Sequence, residues 1–375
     1  MRRGVKDRAC SVRWRQQAHL PTGDIKQGLV MKRVALPLLI VAGLTSSALA
    51  ADMATKAPPA PPAPPPSPWD VAISAALMND YNFRGITQSR HNPSTAAGFE
   101  ARYTFNPQWQ AYAGISGESI DFPNHAAAEI DFYGGIRPTF DKLALDFGVW
   151  YYWYPGGECF NGDFTTPCAP PGSNAFPGLF LPNGNVVKGN LSFVEIYGKA
   201  TYTINDQWAV GVQEWYSPSV LNSGADGWFT TGNITYTVPS AMLPGGIGML
   251  ISGDVGYWAL GTSSNFYCTT GFPNGSPVVT PGNVCAGAFP GGVPYQSYLT
   301  WDAGISFTYK AFTLDLRYYD TNLTKAECNV FVSDHTSTFD PGSVTNLNPG
   351  GLASNWCDAA FVAKLSFATN LSNIK

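Results

Sequence analysis

The sequence predicts an all-β fold: a closed, antiparallel transmembrane β-barrel of about 12 strands. Three observations predict it. Apolar and polar residues alternate with a period of two along residues 69–375, the mark of a strand with one wet and one dry face. The connections between these runs are alternately short and long. No apolar stretch of 18 or more residues follows residue 50, which excludes spanning helices. An exported chain without such helices can still cross a bilayer as a closed barrel, which leaves no backbone group unpaired in lipid.

Taken in order, Met1–Val30 is basic and lacks apolar periodicity, and reads as an upstream extension outside the mature protein. Residues 31–50, MKRVALPLLIVAGLTSSALA, have the build of a signal peptide. Lys32 and Arg33 supply the charge, Val34–Leu44 the apolar run, and Ala48-Leu49-Ala50 the small-residue cleavage site. The expected destination is the outer membrane of a Gram-negative bacterium. Residues 51–68 contain APPAPPAPPPSP; proline supplies no backbone donor, so this is an extended periplasmic linker. The first fifty residues carry nine Lys or Arg and two Asp or Glu. The remaining 13 basic and 24 acidic residues leave the mature chain near −11, without the basic face a nucleic-acid partner needs.

The barrel is expected over residues 69–375, with strands at 69–78, 96–105, 109–118, 128–137, 143–154, 190–204, 208–216, 227–238, 246–258, 298–309, 312–320 and 359–368. Most match the ~9–11 residues of a tilted strand crossing hydrocarbon. Short turns follow the even strands: 106–108, 139–142, 205–207, 239–245 and 310–311. Longer loops follow the odd ones, and three of them (155–189, 259–297, 321–358) exceed thirty residues. Outer-membrane barrels place short turns in the periplasm and long loops outside, whereas a soluble sandwich has no reason to sort its loops by length.

Parity assigns the faces. In FEARYTF, Phe99, Ala101, Tyr103 and Phe105 oppose Glu100, Arg102 and Thr104. A basic side chain facing lipid at mid-depth costs ~2–4 kcal/mol, so the charged rows face inward. The expected lumen lining is Glu100, Arg102, Glu129, Asp131, Asp146, Glu195, Lys199, Asp254, Asp302, Asp315, Arg317 and Lys364. Aromatic belts are expected near the short turns (Tyr103, Phe105, Trp109, Tyr202, Trp208, Tyr236, Phe307, Tyr309, Phe312) and near the long loops (Trp153, Tyr216, Trp228, Tyr257, Tyr298, Tyr318). Rings at such boundaries keep one wet edge.

The stretch MNDYNFRGITQS, Met78–Ser89, follows the first strand. Its Tyr81, Phe83, Arg84, Gly85, Ile86, Gln88 and Ser89 resemble the signature of the TorF-type porin family of proteobacterial outer-membrane barrels. EIDFYGG (129–135) and WYYWYPG (150–156) resemble later segments of that family. The resemblance spans residues 69 to about 368 and implies an outer-membrane pore, without implying a solute. One departure is the C-terminus, where Phe367 is followed by ATNLSNIK rather than closing the chain on an aromatic residue. Arg84 and Gly85 are candidates for a mouth loop folded inward; the alternative is a surface turn with a solvated arginine.

Six cysteines of the mature chain fall two to a long loop: Cys159 and Cys168, Cys268 and Cys285, Cys328 and Cys357. Fifteen pairings are possible for six cysteines, and placement favours the three local ones; Cys10 lies in the removed extension. No cysteine or histidine spacing fits a metal site, and no cofactor motif occurs. His91, His125 and His335 lie in loops. A hydrolase needs a nucleophile and base held together by a third group; Ser89, His91 and Asn92 offer the residue types at a spacing any polar loop could supply. The expected activity is therefore not enzymatic. It is passive diffusion of small polar solutes or ions, with mild cation preference from eight lumen acids against four bases. The alternative is a structural or adhesive barrel plugged by inward Tyr133, Trp150, Tyr152 and Tyr197. Outer-membrane lipid is the expected surrounding partner; the oligomeric state is left open.

Overall fold

The computed structural model describes residues 67–160, 181–264, 266–269 and 292–371. The extension, the signal peptide, most of the linker, and Cys10, Cys168 and Cys285 lie outside these residues, as does the side chain of Cys268.

Twelve strands close into one barrel. They are β1 (Trp69–Met78), β2 (Ser94–Asn106), β3 (Trp109–Glu118), β4 (Glu129–Phe140), β5 (Leu143–Trp153), β6 (Phe193–Thr203), β7 (Trp208–Ser217), β8 (Gly227–Thr237), β9 (Ile247–Leu260), β10 (Tyr298–Tyr309), β11 (Phe312–Thr321) and β12 (Ala360–Asn370). Each pairs antiparallel with its sequence neighbours, and β12 closes on β1 with Ala76 opposite Ser366. Among the described residues no helix is long and apolar enough to cross a membrane.

The short turns follow from local chemistry. Asn106 Oδ1 accepts from the backbone N–H groups of Gln108 (2.9 Å) and Trp109 (3.1 Å). Asn205 Oδ1 does the same for Gln207 and Trp208, both at 2.9 Å. A side chain that mimics a backbone turn in this way reverses the chain within a few residues. In the two-residue turns after β4 and β10, Asp141 and Lys310 take left-handed conformations with φ of 50° and 54°, as tight hairpins require.

The outer face is apolar on every side: Phe99, Ile115, Phe132, Val149, Ile196, Val212, Ile234, Val255, Ile305, Leu314 and Leu365 are all exposed. Isolated apolar residues on a surface are ordinary, but a band around the whole barrel is not. Two expectations need correction. Tyr298 is not in the outer belt: it is fully buried inside the bore, because as the first residue of β10 it shares the inward parity of Thr300 and Asp302. The last strand, expected to end at residue 368, runs on to Asn370.

The described parts of the long loops form a folded cap. It contains the helix Lys325–Val332, started by Thr324 and Glu327, which bond each other's backbone N–H groups. A disulfide joins Cys328 to Cys357, as expected from placement. Cys159 is also disulfide-bonded.

Candidate functional site

The first long loop enters the bore. Asn82-Phe83 pairs with Ile86-Thr87 as a minimal hairpin with Arg84-Gly85 at its tip. Both tip residues have positive φ, 53° and 82°, the geometry of a two-residue hairpin turn. Gly85 is required here twice over. The conformation resists side chains, and a Cβ would collide with Thr321 and Thr300. At the hairpin base, Asp80 accepts from the hydroxyls of Ser89 (2.7 Å) and Thr87 (3.2 Å).

Arg84 is 2 % exposed, so the alternative of a solvated surface arginine does not hold. Its Nη1 and Nη2 donate in parallel to the two carboxylate oxygens of Glu195 on β6, each at 2.8 Å. Tyr152 on β5 donates to the same carboxylate at 3.0 Å. The guanidinium lies over Phe229 of β8 and Trp258 of β9, each 4.4 Å from the ring centre, and 5.7 Å from Trp215 of β7. Tyr298 of β10 donates to the Arg84 carbonyl at 2.9 Å. The loop leaves the wall between β1 and β2, yet its tip touches five consecutive strands, β6 to β10. It therefore crosses the bore. This fork-on-carboxylate geometry with an aromatic collar is one that arginine fits and lysine does not.

Nearer the short turns the bore is lined by paired charges. Arg137 donates bidentately to Glu100 (2.8 and 3.0 Å) and from Nε to Asp146 (3.2 Å). Arg102 bonds Glu100, Tyr112 donates to Asp146 at 2.5 Å, and the Tyr112 and Tyr197 hydroxyls are bonded to each other. Lys199 lies over the rings of Tyr197 and Trp215. On another stretch of wall Arg317 reaches Asp302 at 3.0 Å and Asp315 at 3.1 Å. Across the ladders Asp254 stands opposite Asp302 and Lys364 opposite Asp315. Between girdle and plug, Trp150 stacks on Tyr133 at 4.1 Å.

Glu129 and Asp131 lie apart from this lattice, at the loop end of β4. They join Glu118 of β3, which was absent from the expected lining, as were Tyr112 and Arg137, the last although its parity already faced it inward. Their parity (Tyr112 and Glu118 alternate through the small Gly114 and Ser116) was the available signal. Tyr81 and Tyr154 donate to the two Glu129 oxygens at 2.5 and 2.9 Å. Burial, then the nearby Glu129 charge, pushes both hydroxyls well up, so they remain donors.

The residues considered for hydrolysis are otherwise engaged. The Ser89 hydroxyl accepts from the Tyr81 N–H and lies 2.7 Å from Asp80 Oδ1 and 2.8 Å from the Asn92 carbonyl. His91 is pushed down to about 2 by burial, so it stays neutral. His125 and His335 lie in the cap beside Glu158 and Asp121, at 3.6 and 3.7 Å.

A family model described as "Bacterial protein of unknown function (Gcw_chp)" matches residues 62–167. No curated protein matches the chain. Among solved structures, the chain is similar to the NanC porin, with 7 % identity, TM-score 0.36, and coverage of 80 % of this chain and 98 % of that one. The KdgM porin gives 6 % identity and a TM-score of 0.34 at the same coverages. OmpT, an outer membrane protein of Vibrio cholerae, gives 9 %, 0.30, and again 80 % and 98 %.

Proposed function

We propose that this protein is a plug-gated porin of the Gram-negative outer membrane, through which small polar solutes or ions diffuse when the tip of the first loop withdraws. On this reading residues 31–50 direct export, residues 51–68 tether the barrel on the periplasmic side, and the chain is a TorF-type porin. The observation that carries the gating is Arg84, buried across the bore on Glu195. The apolar outer face supports a lipid setting, since a closed barrel is a form that spans lipid without orphaned backbone groups. The charged girdle supports a hydrated path on the side of the short turns, because selectivity in a pore comes from width and lining charge. The named girdle charges balance, five acids against five bases, so the cation preference rests on Glu195, which is left without its arginine when Arg84 withdraws.

A second reading is a barrel kept permanently plugged for structural or adhesive work, favoured by the close aromatic packing around Arg84. Liposome swelling separates the two. Reconstituted protein carrying Arg84→Ala should admit small neutral and cationic solutes faster than anionic ones, with wild type slower. Equal, background swelling for wild type and variant, with folding confirmed by heat-dependent gel mobility, supports the permanent plug. Recovery of the native chain in the soluble periplasmic fraction would remove both readings.

A further inference from the structure

Glu118, Glu129 and Asp131 form a group that the pore reading does not use. Glu118 and Glu129 stand directly opposite each other across the β3–β4 ladder, and Asp131 follows on the same face. Their exposures are 4 %, 2 % and 4 %. One carboxylate oxygen from each lies within 4.8 Å of the others. Lys364 of β12 is near enough to act electrostatically on Glu118, and three carboxylates outnumber that one ammonium.

A separate observation concerns their unused valence. Glu118 Oε2 and Asp131 Oδ1 are wholly buried and have no hydrogen-bond partner. Buried polar atoms in folded proteins are nearly always satisfied, and an isolated buried carboxylate is strongly disfavoured. Like charges directly opposite on a ladder add repulsion. A hard cation at the centre of the three would remove all of these costs at once. Oxygens bound to one calcium ion at ~2.3–2.6 Å lie no more than roughly 4.6–5.2 Å apart, which the observed spacing meets. The Tyr81 and Tyr154 hydroxyls already hold Glu129 from the outer side, as partners of metal-ligating carboxylates do.

We propose that Glu118, Glu129 and Asp131 bind one divalent hard cation, calcium from the medium outside the cell. The site goes beyond the pore reading and stands whether or not any solute crosses the barrel. Because Tyr81 belongs to the loop that carries Arg84, bound calcium also braces the plug.

The test uses the full folded chain in detergent with disulfides intact, stripped of metal with a chelator. Equilibrium dialysis against calcium chloride should show one ion per chain, half-saturated at roughly 1 mM or below, as extracellular calcium modules are. Thermal melting should rise with calcium, and terbium bound in its place should luminesce through the neighbouring Trp150 and Tyr154. Glu118→Gln and Asp131→Asn should each weaken binding on the order of tenfold or more, since each removes a charged ligand. Asp358→Asn, at a half-exposed acid paired with Lys325 elsewhere in the cap, should leave it unchanged. Wild-type protein that takes up no calcium overturns the site whatever the variants do. So does Glu118→Gln or Asp131→Asn binding as tightly as wild type. A higher melting temperature for metal-free Glu118→Gln with an undiminished calcium shift means the carboxyls share protons, and also overturns it.

Discussion

The two ends of the bore are built from opposite chemistry. At the loop end, Arg84, Glu195, Tyr152 and Trp258 are all at or below 2 % exposed, and a charged pair is sealed inside aromatic rings. Toward the short turns, the side chains of Arg102, Arg137, Asp146 and Asp315 keep 17, 15, 15 and 19 % exposure, although Glu100, which both arginines bond, keeps only 2 %. There the charges pair along the wall, between neighbouring or nearby strands. At the loop end one arginine pairs across the bore. The difference separates wall from obstruction: the girdle belongs to the barrel's own ladders, whereas the plug is one hairpin held by one ion pair and a collar of rings.

If that separation is right, the largest effect comes from Arg84→Ala. Removing one partner of a buried ion pair costs about 3–5 kcal/mol, because the other charge is left stranded. Here the loss should fall on the seated hairpin, and the barrel itself should survive. Proteolysis of the first loop should accelerate while heat-dependent gel mobility still reports a folded barrel. A variant that loses the barrel as well would show that plug and wall are one unit.

Gly85→Ala should act in the same direction. It forces a side chain into a left-handed turn, at roughly 1–3 kcal/mol, and into the space of Thr321 and Thr300. Loop proteolysis should again rise, with β-sheet circular dichroism unchanged. Reduction of Cys328–Cys357, which spans a sequence separation of 29, should weaken the cap by about 2–4 kcal/mol. The outer loops should then exchange amide hydrogen faster while the girdle strands do not.

Arg137→Ala tests the other end. Glu100 and Asp146 lose a shared counter-charge, so in a plug-released background the reversal potential should move toward stronger cation preference. The hairpin's protease sensitivity should stay the same. The smallest effect is acidification. The folded cap holds His91 and His335 below their ordinary range, chiefly by burial. Above about pH 6.5 both residues are neutral, folded or unfolded, and nothing is lost. Below it the unfolded chain takes up protons the folded cap excludes, so stability falls as pH falls. His91→Gln should flatten part of that slope between pH 7 and 5 in thermal melts.

The strands were legible because a barrel wall repeats one rule many times: period two, aromatic ends, long and short connections in turn. Twelve were expected and twelve close the sheet. The site was legible only in pieces. Arg84 and Gly85 stood out as a motif and Glu195 as an inward acid, but nothing local in sequence joins residues 111 positions apart. Their pairing is set by barrel closure, which puts β6 across from the loop. Glu118 was missed because a lone acid ending a run of small residues resembles the start of a loop. Tyr298 was misplaced for a related reason. At the first residue of a strand, an aromatic side chain fits an interfacial belt and a packed bore equally well until the parity of the whole strand is applied.

Single-channel recording in planar bilayers tests the central claim most directly, using disulfide-intact wild type beside Arg84→Ala. The account predicts a wild type that is closed for most of the record and a variant that opens in discrete steps with a cation-biased reversal potential. A wild type that conducts steadily, with Arg84→Ala conducting to the same extent, would contradict it.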